Sequence, residues 1–267
     1  MEGKNPGFDY LEYFINKDYN LEYQLSQPYT GNVGEFKDQS RLQLVQQFKA
    51  DKFYQLNSQQ KMQLFQAVVN DYCKASGVSS CAIELADLPI SDKTVCYGEF
   101  LPAQSKILIN KEIFELIDDA KYCKNQYLPM QLLSTIIHEA QHRVQFETLE
   151  NPNKSEREKI VAQSIQSAKK FSSYNKYLVE PEELDAREKS IEYIKECARE
   201  LDDITLQKYC NTLILKEHQN CKSATSPEIQ QHFYNIYGKY PIKPGHNLNK
   251  SEIEFKSMLM AKQQEKE

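Results

Sequence analysis

The sequence lacks several features that would assign it to common classes of protein. It contains no Trp in 267 residues, and no apolar run approaches the roughly 18 residues that a membrane-spanning helix needs. The segment MEGKNPGFDY at the start has no apolar core, so we expect no secretory signal. Basic residues number 33 against 38 acidic residues, a net charge of -5, which argues against nucleic acid as the main partner.

The cysteines also lack the pattern of a disulfide framework. There are 7 of them, an odd number at irregular spacings, and none forms a CxxC pair. In a chain of this size, such cysteines are typical of free thiols in a reducing compartment. We therefore expect a cytoplasmic protein, although an effector delivered into a host cell would show the same pattern. Apolar residues at 40% and charged residues at 27% indicate a globular rather than a disordered chain.

Periodicity divides the chain into three parts. Residues 1–50 predict an arm with irregular and helical segments, residues 51–260 a single main domain, and residues 261–267 a polar tail. The main domain is largely helical, but CAIELADL alternates as a strand does, and TVCYGEFLPAQSKILIN predicts a hairpin whose second strand is Lys106–Asn110. The predicted fold class is therefore α+β, mostly helical, with a small mixed or antiparallel sheet preceding the helix that contains Pro129.

That helix contains the stretch LLSTIIHEAQHRVQF, residues 132–146. His138 and His142 differ by only about 40° around the helix axis and point away from the apolar sector. This HExxH spacing lets one helix supply two nitrogen ligands to Zn²⁺ while the intervening Glu139 faces the water bound to the metal. The alternative is an ordinary amphipathic helix whose histidines are either solvated or satisfied by partners within the core.

A catalytic zinc site needs a third protein ligand. The metzincin extension requires Gly at position 145 and His at position 148, where this chain has Gln145 and Thr148. A carboxylate from a second helix is the other source, and residues 177–190 contain five acids, between which the chemistry alone does not choose. These acids are Glu180, Glu182, Glu183, Asp185 and Glu188.

The positions on one face of that second helix bear on the choice. Glu183, Ala186, Arg187 and Ser190 share a face at spacings of three and four residues. The small Ala186 would let two helices approach closely enough for a carboxylate to reach a shared ion.

His138-Glu139-Ala-Gln-His142 followed by Glu183-Leu-Asp-Ala186 resembles the gluzincin type of zinc metallopeptidase, in particular its small intracellular or phage-like members. The segment from Tyr177 to Glu183 is similar to the Tyr and Pro that often precede the ligand Glu in that family. The resemblance covers roughly residues 80–200. It implies a zincin-like domain in which His138, His142 and Glu183 bind zinc and Glu139 is the general base. Glu183 follows His142 by 41 residues, a longer interval than in compact gluzincins, so Glu182 remains the second choice.

The resemblance also implies a mechanism, zinc-dependent hydrolysis of a protein or peptide substrate by metal-activated water. An oxyanion donor is expected near the metal, and Tyr177 is favoured over Tyr174, His218 and His232. Asp185 or Glu180 could accept a hydrogen bond from a ligand imidazole. The edge of the Lys106–Asn110 strand could pair with an extended peptide.

Two other functions remain open from the sequence. The first is a catalytically silent zincin-like module that regulates or binds another protein. Under either interpretation we expect no membrane span, and the sequence does not indicate the oligomeric state. The second is a structural zinc site formed by Cys210, His218 and Cys221, although their spacing matches no strong pattern.

Overall fold

A computed structural model describes residues 31–90, 95–118, 125, 127–149, 151–167 and 180–223. The predicted roles of Tyr174, Tyr177 and His232, the first 30 residues of the expected arm and the expected tail lie outside these residues. The described part is mostly helical with a three-stranded mixed sheet, which agrees with the predicted α+β class. None of its helices has both the length and the apolar character that crossing a bilayer requires.

Eight helices and three strands are used below. They are, in chain order, α1 (Arg41–Gln46), α2 (Ala50–Phe53), α3 (Ser58–Ala75), β1 (Ala82–Ala86), β2 (Gly98–Leu101), β3 (Lys106–Asn110), α4 (Lys111–Asp118), α5 (Tyr127–Glu147), α6 (Glu156–Ser167), α7 (Pro181–Glu200) and α8 (Ile204–Ser223).

Local sequence signals explain where the longer helices begin and end. Asn57 caps α3 by accepting from the backbone N–H of Gln60, whose side chain in turn accepts from the N–H of Asn57. Gly77 follows the end of α3 with a φ of 72°, a left-handed conformation that glycine adopts without strain. Pro181 stands at the first position of α7, where its missing N–H removes no helical hydrogen bond.

The sheet has the strand order β1-β3-β2. The hairpin is confirmed, because β2 pairs antiparallel with β3 and places Phe100 opposite Ile107, while β1 pairs parallel with β3. The strand Lys106–Asn110 is therefore central, with both of its edges occupied. The prediction that its edge binds a peptide is wrong, and β2 is the edge strand beside α5.

Helix α5 forms the centre of the fold, packed against α3, α7 and β2. Its apolar residues Leu133, Ile136 and Ile137 are fully buried, as the periodicity predicts. Its polar residues are buried as well: Ser134, Thr135, Glu139, Gln141, Arg143 and Gln145 are all at most 9% exposed. A solvated polar face is therefore wrong for α5, whereas histidines whose hydrogen bonds are satisfied within the core stay an open alternative.

Part of the expected arm belongs to the core of the main domain. Leu44 and Val45 in α1 are buried, and Phe48 stacks on Phe53 and Phe65 with ring centroids 5.5 and 5.9 Å away. The predicted boundary at residue 50 therefore falls between helices that share one core, because these apolar side chains belong to the same buried cluster as those of α3.

Candidate metal centre

The two histidines of α5 face each other across one helical turn. The Nε2 atoms of His138 and His142 are 3.1 Å apart, and their ring planes are nearly perpendicular. Both residues are only partly buried, so their ring nitrogens lie at a surface of the core that remains accessible. This is the arrangement that the four-residue spacing on one helix face predicts.

Helix α7 brings the carboxylate of Glu183 to the same point. Its Oε2 atom is 3.3 Å from Nε2 of His138, and its Oε1 atom is 3.4 Å from Nε2 of His142. The two helices approach closely because small residues lie between them. Ser190 contacts Ser134 with an Oγ–Oγ distance of 2.8 Å, and Ala186 is fully buried.

These spacings fit a tetrahedral metal ion. Ligand atoms about 2.0–2.1 Å from zinc, at angles of about 109°, lie about 3.3 Å from one another. The two imidazole nitrogens are 3.1 Å apart, and each has one oxygen of the Glu183 carboxylate at 3.3 or 3.4 Å, close to that value. These two contacts use different oxygens, and one ligand atom from each of the three residues lies within 4.8 Å of the others. Two imidazole nitrogens and one carboxylate oxygen are also a donor set that zinc accepts, with a fourth position left for water or substrate.

The charges of the three residues are interdependent. Burial by itself would raise the pKa of Glu183, but the adjacent imidazoles outweigh burial and hold this pKa well below its usual value. Burial would lower the pKa of His142, but the charge and hydrogen bond of Glu183 raise it to about 9. Without a metal, a proton on His142 therefore balances the carboxylate, and a cation at the site would take over that role.

Arg187 adds a further positive group beside the ligands. Its Nη1 atom lies 3.5 Å from Oε2 of Glu183, one helical turn earlier on α7. The same guanidinium donates through Nε to Glu217 of α8 at 3.0 Å, and this bond ties α8 to the site.

Glu139 is held by the edge strand. Its Oε2 atom accepts a hydrogen bond from the backbone N–H of Phe100 at 2.8 Å, and the residue is 7% exposed. Strand β2 can approach this closely because residue 98 is glycine. A Cβ atom there would lie 2.7 Å from Cγ2 of Thr135 and 3.4 Å from Cγ of Glu139. Glu139 also contributes to the raised pKa of His142, so its carboxylate lies close to the three candidate ligands.

Among the predicted site residues, the structure brings together His138, His142 and Glu183. Glu139 follows His138 on α5, and its carboxylate accepts from the N–H of Phe100. The second choice for the third ligand, Glu182, is not part of this cluster. Burial raises the pKa of Glu182 to about 7. The predicted oxyanion donor Tyr177 lies outside the described residues.

The predicted contact between an acid and a ligand imidazole differs from the observed one. Asp185 does reach His142, but through the side chain of Gln145 and not directly. Glu180 instead accepts from Ser164 Oγ at 3.4 Å.

The alternative structural zinc site is wrong for Cys210 and His218. Both lie on α8, where eight residues separate them by about 12 Å along the axis. A single ion cannot bind both side chains across that distance. Cys210 is buried, and its Sγ atom contacts the carbonyl oxygen of Ile191.

The sequence did not single out Gln141 and Gln145. They follow His138 and His142 by three residues each, and both donate to Asp185, but only Gln145 also contacts a candidate ligand, His142. The spacing was visible in HEAQHRVQ, but glutamines are so common in this chain that nothing marked these two. Only the buried position of Asp185 on α7 gives them a shared acceptor.

Comparison with protein-family models, with curated proteins and with solved structures finds no match to this chain. The functional argument therefore depends on the geometry described above.

Proposed function

We propose that this protein is a zinc-dependent metallopeptidase with a zincin-like arrangement of its site. The observation that supports the proposal is the convergence of His138, His142 and Glu183 at distances suited to one tetrahedral ion, with Glu139 adjacent. The burial of Glu183 strengthens this argument. A carboxylate that is 4% exposed needs positive groups as partners. Arg187 supplies one at 3.5 Å, and a metal ion shared with the two imidazoles would supply the second.

The chain's own residues suit hydrolysis. A zinc ion held here would polarise the scissile carbonyl and make water more acidic. Glu139 would accept the proton of the attacking water and pass it to the leaving amine. The hydrogen bond from the N–H of Phe100 to Oε2 restrains the orientation of the Glu139 carboxylate.

The position of β2 at the edge of the sheet supports an extended peptide as the substrate. The N–H of Phe100 points away from β3, towards α5 and the metal centre, since it donates to Glu139. An extended peptide pairing with this edge would run along the site, as in other cases of recognition by strand addition. Because Glu139 occupies the N–H of Phe100, the pairing groups left to a peptide belong to other positions of β2.

The decisive experiment combines metal analysis with a cleavage assay. The purified protein, reconstituted with zinc and freed of excess metal, should hold one zinc per chain and cleave unfolded casein or a peptide library. A chelator should abolish cleavage, and added zinc should restore it. The substitutions His138→Ala and His142→Ala should lose the metal. Glu139→Gln should keep it and lose cleavage by a factor of at least about 10³.

A matched control shows whether these effects are local. Glu156→Gln removes an exposed carboxylate in the first turn of α6 that pairs with Lys159, and should leave zinc content and cleavage unchanged. Failure of the wild-type protein to hold zinc after reconstitution would refute the proposal. Stoichiometric zinc without cleavage of any peptide would favour the silent protein-binding module.

A further inference from the structure

We propose that Gln145 is a positioning residue that fixes the ring of His142, and that Asp185 acts on the metal centre through it. Asp185 orients the amide of Gln145, and the amide keeps the imidazole proton on Nδ1 so that Nε2 faces Glu183 and His138. This inference rests on the proposed metal site and assigns a role to residues outside the ligand set.

The orientation of the Gln145 amide follows from its neighbours. Its Nε2 atom donates to Oδ2 of Asp185 at 2.8 Å and to the backbone carbonyl of Glu182 at 2.9 Å. A carboxylate and a carbonyl can only accept, so the NH₂ group must face them. The Oε1 atom must then face Nδ1 of His142, which lies 2.9 Å away. An amide oxygen can only accept, so Nδ1 of His142 must carry a proton, and Nε2 is the nitrogen that can bind a metal once it carries no proton.

Asp185 is itself rigidly held. Its Oδ2 atom also accepts from Nε2 of Gln141 at 2.7 Å, and its Oδ1 atom accepts from Nε of Arg157 at 2.6 Å. The Oε1 atom of Gln141 accepts from the hydroxyl of Tyr72 at 2.8 Å, so the amide of Gln141 has a fixed orientation as well. The network is buried, with Asp185 at 6% and Gln145 at 4% exposed. Helices α3, α5, α6 and α7 all contribute to it.

The bond to the carbonyl of Glu182 gives Gln145 a second effect. Glu182 immediately precedes the candidate ligand Glu183, so one amide connects the ring of a ligand on α5 to the backbone beside a ligand on α7. Gln145 therefore sets the spacing between the two helices that supply ligands, as well as the orientation of one ring.

The test uses Gln145→Met, which keeps the length of the side chain and removes its hydrogen bonds. Zinc affinity, measured by competition with a chromophoric chelator, should fall about 10- to 100-fold. The matched control is Gln141→Met on the same helix. This variant also loses a hydrogen bond to Asp185, but the side chain of Gln141 hydrogen-bonds to neither candidate histidine ligand. Its zinc affinity should therefore change by less than about threefold. Thermal unfolding of both variants shows whether the fold is retained.

A double-variant cycle tests whether Asp185 acts through Gln145. Asp185→Asn should weaken zinc binding about tenfold in the wild-type background and by less than about twofold when Gln145 is already Met. A readout independent of metal is the Nδ1 proton of His142 in long-range ¹H–¹⁵N spectra. It should exchange slowly with water in the wild-type protein and rapidly in Gln145→Met.

The outcomes separate the two proposals. Wild-type zinc affinity and a slowly exchanging Nδ1 proton in Gln145→Met would overturn the role of Gln145 and leave the zinc site intact. Equal weakening by Gln141→Met and Gln145→Met would assign the effect to general loss of packing and would also overturn it. If the wild-type protein binds no zinc, the proposed function fails and this inference fails with it. If Gln145→Met does not fold, Asp185→Asn gives the same comparison without altering Gln145.

Discussion

Replacing Gly98 with Ala is expected to impair catalysis while leaving the metal in place. The added Cβ would lie 2.7 Å from Cγ2 of Thr135 and 3.0 Å from the carbonyl oxygen of Leu108. Carbon atoms in contact are normally about 3.5–4.0 Å apart, so β2 must move away from α5 by close to 1 Å. Phe100 lies two residues along the same strand, and its N–H would move with it and weaken the 2.8 Å hydrogen bond to Glu139.

The expected magnitudes follow from this displacement. Misplacing a reacting group by about 1 Å can reduce the rate about 100-fold, so kcat/KM should fall by about that factor. The crowding should also lower the free energy of unfolding by about 1–3 kcal/mol. Zinc affinity should stay within about threefold of the wild-type value, because all three candidate ligands lie on α5 and α7 and not on β2.

The assay compares cleavage of one fluorogenic peptide with zinc affinity for each variant. Thr135→Ser removes the crowded Cγ2 methyl group, so the double variant Gly98→Ala/Thr135→Ser should recover part of the lost activity. Thr135→Ser alone is the matched control and should behave like the wild type. Full activity in a folded Gly98→Ala protein would refute the argument that β2 positions Glu139. A parallel loss of zinc would refute it as well, since the ligands would then be affected.

Three further predictions concern stability. Arg143 is fully buried and paired with Glu147, so Arg143→Met should lower the free energy of unfolding by about 3 kcal/mol in urea titrations, and a loss under about 1 kcal/mol would contradict this. Burial would raise the pKa of Asp203, but Lys49 and the first N–H groups of α8 hold it below its usual value. Asp203→Asn should therefore lower the free energy of unfolding by about 0.5–1 kcal/mol at about pH 7, and this difference should vanish as the pH falls through the depressed pKa. A difference that persists at about pH 2 would contradict the assignment. Free zinc at about 100 times its dissociation constant should stabilise the wild type by about 2.7 kcal/mol and leave His138→Ala unchanged in calorimetry.

The sequence predicted the parts of the site that lie on one helix. The spacing of His138 and His142 places their rings on one face by helical geometry alone, and the described structure agrees with that placement. The hairpin before α5 could also be predicted from neighbouring residues, because alternating residues flank a short turn that contains Pro102. The sequence did not predict that the strand Lys106–Asn110 is central, since strand order depends on the parallel pairing of β1 with β3.

The choice among the acids near residue 183 could not be made from local pattern. Glu182 and Glu183 are adjacent on α7 and differ by about 100° around its axis, so the rotation of the packed helix decides which one faces α5. That rotation is set by the contact of Ser190 with Ser134 and by the burial of Ala186. The network of Gln141, Gln145 and Asp185 depends on the same packing.

The sequence by itself determined which groups one helix offers: two imidazoles and a carboxylate, because a repeat of 3.6 residues per turn fixes their relative positions. Only the tertiary structure decided which carboxylate joins them, which strand holds Glu139 and which amide orients His142. Those relations join residues far apart in the chain, and they exist only when helices α5 and α7 and strand β2 bury their side chains against one another.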